Sequence, residues 1–491
     1  MNNATNKHLN KHMDKRHNPN NIQSAFCDDV LGALDATAIA EKIKNRDIST
    51  EEVETAALAR AAKINPKINA IVAPLLDAKQ IVKSSIPKDA KGVFYGIPSF
   101  IKDCEDVQGL PTQYGTRAFQ AQAAKCHSPF VKQYLSLGMS ILGKTTLPEW
   151  GLSSITESLA TGNTVNPWNT DYSPGGSSGG AAALVAAGVT PIAHGSDGGG
   201  SIRTPASCCG LIGLKPSRGR LIPPEGKFPI HLACQGVLTR SVRDTVHFYL
   251  GAERYQSSPY LPPIGQVHPD DHQKLTIGVF LDNANNEISD SECVKATLHA
   301  AHVCEKLNHN IEFIPSPYSK KIFYDLVLYY GFLACFINES MRLKPSSQWS
   351  SSKLENYTRG LEKMFLRKCL KFPFSLRRLR HYQYQYAKIF DRFDLILCPT
   401  NGTVPPKIGF MGPENNADAV ISRVKQHSAF TVFQNIAGTP AISLPLGMSQ
   451  LGLPIGVHFA AAFGQERQLL SLAYQLEDAQ PRRCISQITQ A

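Results

Sequence analysis

The segment that most constrains this chain runs from Pro174 to Cys208 and reads P-G-G-S-S-G-G-A-A-A-L-V-A-A-G-V-T-P-I-A-H-G-S-D-G-G-G-S-I-R-T-P-A-S-C. Two glycine clusters each hold a serine, Ser177 and Ser201, which lie 24 residues apart. Glycine loses more conformational freedom on folding than other residues, so such clusters mark places where the backbone bends unusually or approaches something closely. Between them the sequence predicts an alanine-rich helix, a stop at Gly188 and a strand over 190–193.

Length and composition indicate a large globular protein of the α/β class. The chain has 491 residues, of which 42% are hydrophobic, and this fraction is enough to build a substantial core. It contains no run of about 18 or more apolar residues, so we expect no membrane-spanning helix. Short β-branched runs, such as 275–281 and 394–400, alternate with helical segments, which is typical of an α/β fold. Length alone would suggest two or three domains.

The first residues differ from the rest of the chain. They read M-N-N-A-T-N-K-H-L-N-K-H-M-D-K-R-H-N-P-N-N, are rich in Asn, His and Lys, and offer almost nothing to bury. This composition predicts a disordered basic tail over 1–28, followed by the main domain over 29–491. The tail lacks the apolar core of a signal peptide, and the twelve cysteines form no C-x-x-C pair. We therefore expect a cytoplasmic protein without a disulfide framework or a zinc site.

Two motif matches are disfavoured by their local context. G-M-S-I-L-G-K-T at 138–145 fits the phosphate-binding loop pattern, but its apolar residues form a strand, and Pro148 would break the helix that must follow. G-G-S-S-G at 175–179 fits the nucleophile elbow of α/β-hydrolases, which would make Ser177 the nucleophile. That elbow must follow a buried strand, whereas 169–174 is turn-forming, and no downstream histidine has an obvious context.

The second glycine cluster, D-G-G-G-S-I-R at Asp197–Arg203, carries a stronger chemical signal. Three consecutive glycines before a serine allow successive backbone N–H groups to converge on one point, as an oxyanion hole requires. A merely flexible turn would not explain the Ile-Arg-Thr-Pro segment that follows at once.

A lysine, Lys102 in G-I-P-S-F-I-K-D, lies 75 residues before Ser177. Together with the two glycine clusters, it resembles the pattern of the amidase signature family, whose members hydrolyse amides with a Ser-Ser-Lys triad. The resemblance extends over nearly everything after the tail, through L-G-K-T-T-L-P-E-W (142–150), T-V-N-P-W-N (164–169), G-L-I-G-L-K-P-S-R-G-R (210–220) and F-Q-N-I-A-G-T-P-A-I-S-L-P-L-G (433–447). The Ser201 block looks most similar to 6-aminohexanoate cyclic dimer hydrolase-like amidases. The family fold implies a single α/β/α domain around a large twisted mixed sheet, in place of two or three domains.

The resemblance also implies a role for each member of the triad. Ser201 corresponds to the nucleophile, and Ser177 to a bridging serine in a cis peptide that relays protons. Lys102 corresponds to the base. A lysine that works as a neutral base near pH 7 needs its pKa lowered by roughly three units from about 10.4, and burial can supply this. The apolar strand context of Lys102 is compatible with such burial.

The same resemblance implies the groups around the triad. The oxyanion donors carried over are the backbone amides of Gly198, Gly199, Gly200 and Ser201. As supporting neighbours we expect a pair between Asp197 and Arg203 behind the loop, together with Ser178.

Substrate and partners stay open at this point. We expect a small-molecule amide, linear or cyclic, with no metal, organic cofactor or nucleic acid, in a monomer or a homodimer. A helical segment at about 307–393 is where family members shape their acyl pockets. Within it, 366–381 is either a solvated helical face or a basic, aromatic surface for a membrane or an acidic partner. The alternatives are therefore a glutamine-dependent amidotransferase-type subunit and a membrane-surface hydrolase of lipid amides.

Overall fold

The structure is a computed structural model that describes residues 21–72, 92–226, 228–268, 273–285, 287–343 and 348–489. Most of the predicted tail, residues 1–20, lies outside the described residues. From Asn21 onward the chain packs on the main body: the Ala25 N–H donates to Ala187 O at 2.7 Å. Phe26 is buried beneath the guanidinium groups of Arg60 and Arg240. The packed chain thus begins earlier than the predicted boundary at residue 28.

An eight-stranded mixed sheet forms the centre of the fold. In chain order the strands are β1 Ile71–Val72, β2 Pro98–Lys102, β3 Ser140–Thr145, β4 Glu157–Ser158, β5 Gly162–Asn163, β6 Ile192–Asp197, β7 Ile212–Lys215, β8 Cys234–Thr239, β9 Thr276–Val279, β10 Asn310–Phe313, β11 Leu395–Pro399, β12 Ala441–Met448 and β13 Pro454–Ala461. The central sheet has the order β10-β9-β11-β13-β12-β7-β8-β6. β9 is parallel to β10 and β11, and the other neighbours are antiparallel. A smaller sheet, β1-β3-β2, lies beside β6.

Helices cover this sheet. They are α1 Ala36–Asn45, α2 Thr50–Ile68, α3 Pro129–Leu135, α4 Gly179–Ala187, α5 Arg203–Cys209, α6 Val242–Tyr255, α7 Ser291–Lys306, α8 Lys320–Arg342, α9 Asn356–Lys368, α10 Phe372–Ala387, α11 Ala417–His427, α12 Val432–Ala437, α13 Glu466–Ala479 and α14 Ile485–Thr489. β7, β8, β11 and β13 are buried along their whole length, as is typical of strands with both faces covered. The predicted α/β fold around a large mixed sheet is confirmed.

Helix α2 begins at a capping box between Ser49 and Glu52 and continues through Pro66 to Ile68. One predicted element differs in extent. The strand predicted over 190–193 forms over Ile192–Asp197 instead, pairing with β8 along its full length. This shift carries the strand directly to Asp197, at the edge of the glycine cluster.

The segment at about 307–393 is mostly helical, as α8, α9 and α10. Among the described residues, α8 alone is long and apolar enough to span a membrane, and half of its apolar window is buried inside the protein. Its buried residues, which include Leu326 and Tyr329, pack in a core with α10 and α12.

Candidate active site

Lys102 is the last residue of β2 and its side chain is buried, with 1% of its surface exposed. Its Nζ lies 2.7 Å from Ser177 Oγ, 2.9 Å from Ser178 Oγ and 3.0 Å from Ser196 Oγ. The predicted proximity of Lys102 to Ser177 is therefore present, and Ser178 lies within hydrogen-bond distance of the same nitrogen. Two of these three hydroxyls sit at the start of α4, and the third lies on β6.

The surroundings of Lys102 bring the loss of its proton closer to neutral pH. Burial lowers the pKa of Lys102 from 10.5 to about 8, although the charge of Asp197 acts in the opposite direction. The nearby Cys104 has its pKa raised to about 11 by burial, so its thiol stays protonated near neutral pH. A lysine with a pKa of about 8 is a base that works close to neutral pH.

The backbone of Lys102 is held by a buried polar chain. Its N–H donates to His194 Nδ1 at 3.1 Å, so the histidine proton sits on Nε2, which contacts Gln235 Oε1 at 2.9 Å. The Gln235 amide donates in turn to Glu105 Oε1 at 2.6 Å. Burial lowers the pKa of His194 to about 3, which keeps the ring neutral. This chain fixes the end of β2 against β6.

Ser177 follows a cis peptide bond between Gly176 and Ser177. Its neighbour Ser178 accepts a hydrogen bond from the Ser196 N–H and lies 3.2 Å from Ser196 O, so it ties the start of α4 to β6. A Cβ at Gly176 would lie 2.5 Å from the carbonyl oxygen of Ile155. The close approach of two backbones explains why glycine precedes the serine here.

The Asp197–Arg203 loop presents Ser201 to the same cavity as Lys102 and Ser177. Among the described residues no hydrogen bond joins the hydroxyls of Ser177 and Ser201. The loop carbonyls are held from outside the loop: Tyr330 Oη donates to Gly198 O at 3.0 Å, and Thr431 Oγ1 donates to Gly199 O at 2.7 Å.

One predicted oxyanion donor needs correction. The Gly200 N–H donates to Asp197 Oδ1 at 2.7 Å, so this amide is already bound. Gly200 has a φ of +125°, a conformation that only glycine adopts readily, and it turns the loop rather than serving the cavity. The remaining predicted donors, Gly198, Gly199 and Ser201, all line the cavity.

The predicted pair between Asp197 and Arg203 is present and fully buried. Arg203 Nε and Nη2 each donate to one carboxylate oxygen at 2.9 Å. Burial opposes ionisation of Asp197, but the facing guanidinium outweighs it and holds the pKa of the carboxyl below its usual range. Asn435 completes the network, because its amide donates to Asp197 O and Oδ1 at 2.8 and 2.9 Å. Such a bidentate pair holds the loop in one geometry.

Two connected cavities meet at Ser201. The larger has a volume of about 290 Å³, contains Lys102, Ser177 and Ser201, and is lined by aromatic and apolar side chains that include Trp150, Phe228, Leu232 and Leu333. The smaller has a volume of about 70 Å³ and apolar walls from α8, α9, α11 and α12, among them Leu326, Leu361, Ile421 and Val432. Tyr330 lines both cavities, as do Gly151, Leu152, Gly199 and Ser201.

An aromatic wall borders the larger cavity. Tyr114 and Trp150 both line it, and their rings stack with centroids 4.7 Å apart. Both residues have a positive φ, of 53° and 55°, which is uncommon for bulky side chains. The backbone N–H of Trp150 donates to the backbone carbonyl of Tyr114 at 2.8 Å, which joins the two chain segments that carry these rings. Unusual backbone conformations of this kind cluster at functional sites.

Several site residues were not predicted from the sequence. Ser196 and His194 lie on β6, Gln235 lies on β8, and Asn435 lies on α12, inside the F-Q-N-I-A-G-T-P block that supported the family resemblance without a role for any single residue. The H-G-S-D run that ends β6 was the available signal for Ser196 and His194, because alternate residues of a strand that ends at the glycine loop face the same side. Nothing in the sequence around Asn435 singled it out. In the described residues no group of three or more His, Cys, Asp or Glu side chains could hold a metal ion.

Comparisons with known proteins identify the family. A family model described as Amidase matches residues 52–470, so the chain belongs to the amidase family. It is 42% identical to the putative amidase AmiC of Mycobacterium leprae (strain TN), over 93% of this chain and 97% of the relative. It is 34% identical to the 6-aminohexanoate-cyclic-dimer hydrolase of Paenarthrobacter ureafaciens, over 91% of this chain and 95% of that protein. The solved structure of 6-aminohexanoate cyclic dimer hydrolase complexed with substrate matches with a TM-score of 0.81 at 33% identity, covering 92% of this chain and 98% of that one.

The protein is therefore an amidase, an enzyme that hydrolyses amides. The predicted resemblance to the amidase signature family, and within it to the 6-aminohexanoate cyclic dimer hydrolases, is confirmed.

Proposed function

We propose that the protein hydrolyses a carboxylic amide through a triad of Ser201, Ser177 and Lys102 and a covalent acyl-enzyme. The observation that carries this proposal is the contact of 2.7 Å between Lys102 Nζ and Ser177 Oγ, in a cavity that also contains Ser201. The lowered pKa of Lys102 supports its role as the base. Among the described residues Lys102 forms no ion pair with a carboxylate, and its neighbours are hydroxyls. Its desolvation opposes folding, so stability does not explain a lysine at this position.

In the first half of the reaction, Ser201 Oγ attacks the amide carbonyl carbon and forms a C–O bond. Its proton passes to Ser177 Oγ, while the proton of Ser177 passes to Lys102 Nζ, so Lys102 becomes an ammonium. The carbonyl oxygen becomes an oxyanion that the amides of Gly198, Gly199 and Ser201 stabilise, and one such donor is typically worth roughly 10²–10³-fold in rate. Hydrogen bonds between catalytic groups often form fully only once substrate is bound, which accommodates the separate hydroxyls of Ser177 and Ser201.

The tetrahedral intermediate then breaks its C–N bond. Ser177 gives a proton to the leaving nitrogen and regains one from Lys102, which leaves an ester on Ser201 and a neutral lysine. Water attacks the ester carbonyl with its proton moving along the same relay. The C–O bond to Ser201 breaks, the carboxylic acid leaves, and the three residues return to their starting protonation states.

For the substrate we propose an aliphatic amide, linear or cyclic. Support comes from the apolar walls of the smaller cavity, from the 290 Å³ volume of the larger one, and from the likeness to enzymes named for a cyclic amide of 6-aminohexanoate. The helices of 307–393 supply most of the apolar lining of the smaller cavity, which supports the predicted role of this segment in substrate selection. We propose that the enzyme acts in the cytoplasm as a monomer or a homodimer.

The decisive experiment is labelling with a fluorophosphonate, followed by peptide mass spectrometry. We expect one adduct, on Ser201, that disappears in Ser201→Ala. The matched control is Ser153→Ala, because Ser153 lines the smaller cavity outside the triad and its loss should leave the adduct in place. An adduct on Ser177 would identify a different nucleophile, and an unlabelled wild-type protein would contradict the proposal.

A further inference from the structure

A cluster of apolar side chains projects from the surface where α9 passes into α10. Leu366, Leu370 and Phe374 have 57%, 88% and 69% of their surfaces exposed. We refer to residues 366–374 as the apolar turn. A group of large, highly exposed apolar side chains is uncommon on a protein surface and usually indicates an interaction site.

The charged side chains of the apolar turn itself are all basic, and the acidic residue just before this segment, Glu362, accepts a hydrogen bond from Asn338. From Lys363 to His381 the chain carries seven Lys and Arg residues and no Asp or Glu. Arg378 is neutralised by Asp325 at 2.6 Å, but Arg367, Lys368 and Lys371 are exposed within the turn itself. Apolar tips with basic residues between them are the composition that binds the headgroup region of an anionic bilayer.

The apolar turn is firmly joined to the wall of the larger cavity. Phe372, within the turn, stacks on Phe332 of α8 with ring centroids 4.7 Å apart, and Phe332 contacts Phe336 at 5.9 Å. Phe336 in turn contacts Phe228 at 5.8 Å, and Phe228 lines the larger cavity. A continuous series of aromatic contacts therefore connects the exposed turn to Phe228 in the wall of the larger cavity.

We propose that the apolar turn docks the enzyme on the surface of an anionic membrane, with Leu370 and Phe374 inserted among the lipids and Lys368 and Lys371 at the headgroups. The exposure of 88% at Leu370 favours lipid over a folded protein partner, because such a side chain projects outward and lines no groove.

The test is cosedimentation of the full-length enzyme with vesicles of phosphatidylcholine alone and with about a third of the lipid replaced by phosphatidylglycerol. We expect binding to the anionic vesicles that weakens with salt. Leu370→Ser with Phe374→Ser should weaken this binding at least about tenfold, since two apolar insertions are lost. Lys368→Glu with Lys371→Glu should weaken it by a similar factor.

The matched control is Tyr260→Ser, because Tyr260 is 87% exposed and lies outside this helical segment. It should bind vesicles like the wild type. All variants should hydrolyse a soluble amide at the wild-type rate, which shows that they fold. Absence of vesicle binding, equal binding to neutral vesicles, or binding that survives both double variants would each overturn the proposal, and the first would point to an acidic protein as the partner.

Discussion

Replacing Lys102 with methionine should make the protein more stable while abolishing turnover. Methionine has about the same length as lysine but no charge, so the substitution removes the desolvated amine from its buried position. A pKa of about 8 in place of 10.5 means that the fold disfavours the ammonium by about 3 kcal/mol, at about 1.4 kcal/mol per pKa unit. Ser177, Ser178 and Ser196 lose a hydrogen-bond partner, which offsets part of this gain. The net stabilisation expected at pH 7 is about 1–3 kcal/mol.

The pH dependence of this difference follows from the direction of the shift. The folded lysine loses its proton above about pH 8, whereas the unfolded lysine keeps it until about 10.5. The wild type therefore gains stability as the pH rises from 8 to 10.5, and below pH 8 it carries the full penalty. The advantage of Lys102→Met should be constant below pH 8 and shrink toward pH 10.5. Urea unfolding at pH 7 and pH 10, followed by tryptophan fluorescence, measures it.

Lys144→Met provides a matched control, for which we expect a loss of stability instead of a gain. Lys144 is equally buried on the neighbouring strand β3, but its Nζ lies 2.7 Å from Asp103. Removing it leaves a buried carboxylate without its cation, which typically costs about 3–5 kcal/mol. If Lys102→Met also lost stability, Lys102 would be a stabilising cation and not a base whose charged form is disfavoured by burial. Retained turnover in Lys102→Met would place the base elsewhere.

Three further predictions concern pH and the loop. The kcat/KM of the wild type should rise about tenfold from pH 7 to pH 9 as Lys102 loses its proton, and a flat profile over this range would contradict its role as the base. Burial, and then the charge of Glu149, raise the pKa of Glu355 to about 8, so ionisation of this carboxyl opposes folding and wild-type stability should fall as the pH rises from about 4.5 to 8. Glu355→Gln should make that fall shallower, while the part due to Glu157, whose pKa burial raises to about 7, remains. Melting temperatures at pH 5 and pH 8 test this, and equal changes of melting temperature in the two proteins would refute the assignment. Asn435→Ala should destabilise the fold by about 2 kcal/mol and lower kcat more than it raises KM, because Asp197 loses two donors behind the loop. A change in KM alone, measured by steady-state kinetics, would argue against a positioning role.

The site residues that could be predicted from the sequence lie in segments of unusual composition. Glycine clusters located the loop of Ser201 and the turn of Ser177, and the structure brings Lys102 to Ser177 across 75 residues of chain. The pairing of Asp197 with Arg203 was predictable because both residues belong to one motif and lie six residues apart.

The features that could not be predicted from the sequence depend on contacts between distant parts of the chain and on backbone torsions. Asn435 reaches Asp197 only because α12 packs against the glycine loop, and an ordinary asparagine gives no local signal of this. Gly200 looked like its two neighbours in sequence, yet its amide turns toward Asp197, a distinction that only backbone torsions create. Helix α2 passes through Pro66 because a proline this close to a helix end removes few hydrogen bonds.

The carbonyl oxygens of Gly198 and Gly199 are held by Tyr330 of α8 and by Thr431 next to α12, and Tyr330 also walls both cavities. Under the proposed mechanism, one side chain, Tyr330, therefore contributes both to substrate choice and to the geometry of the oxyanion loop. A change at Tyr330 that enlarged the room for a bulkier substrate would also release the peptide unit that orients the neighbouring loop amide. Evolution toward new amides should thus proceed first at wall positions that leave this hydroxyl in place, such as Leu326, Leu361 and Ile421 of the smaller cavity.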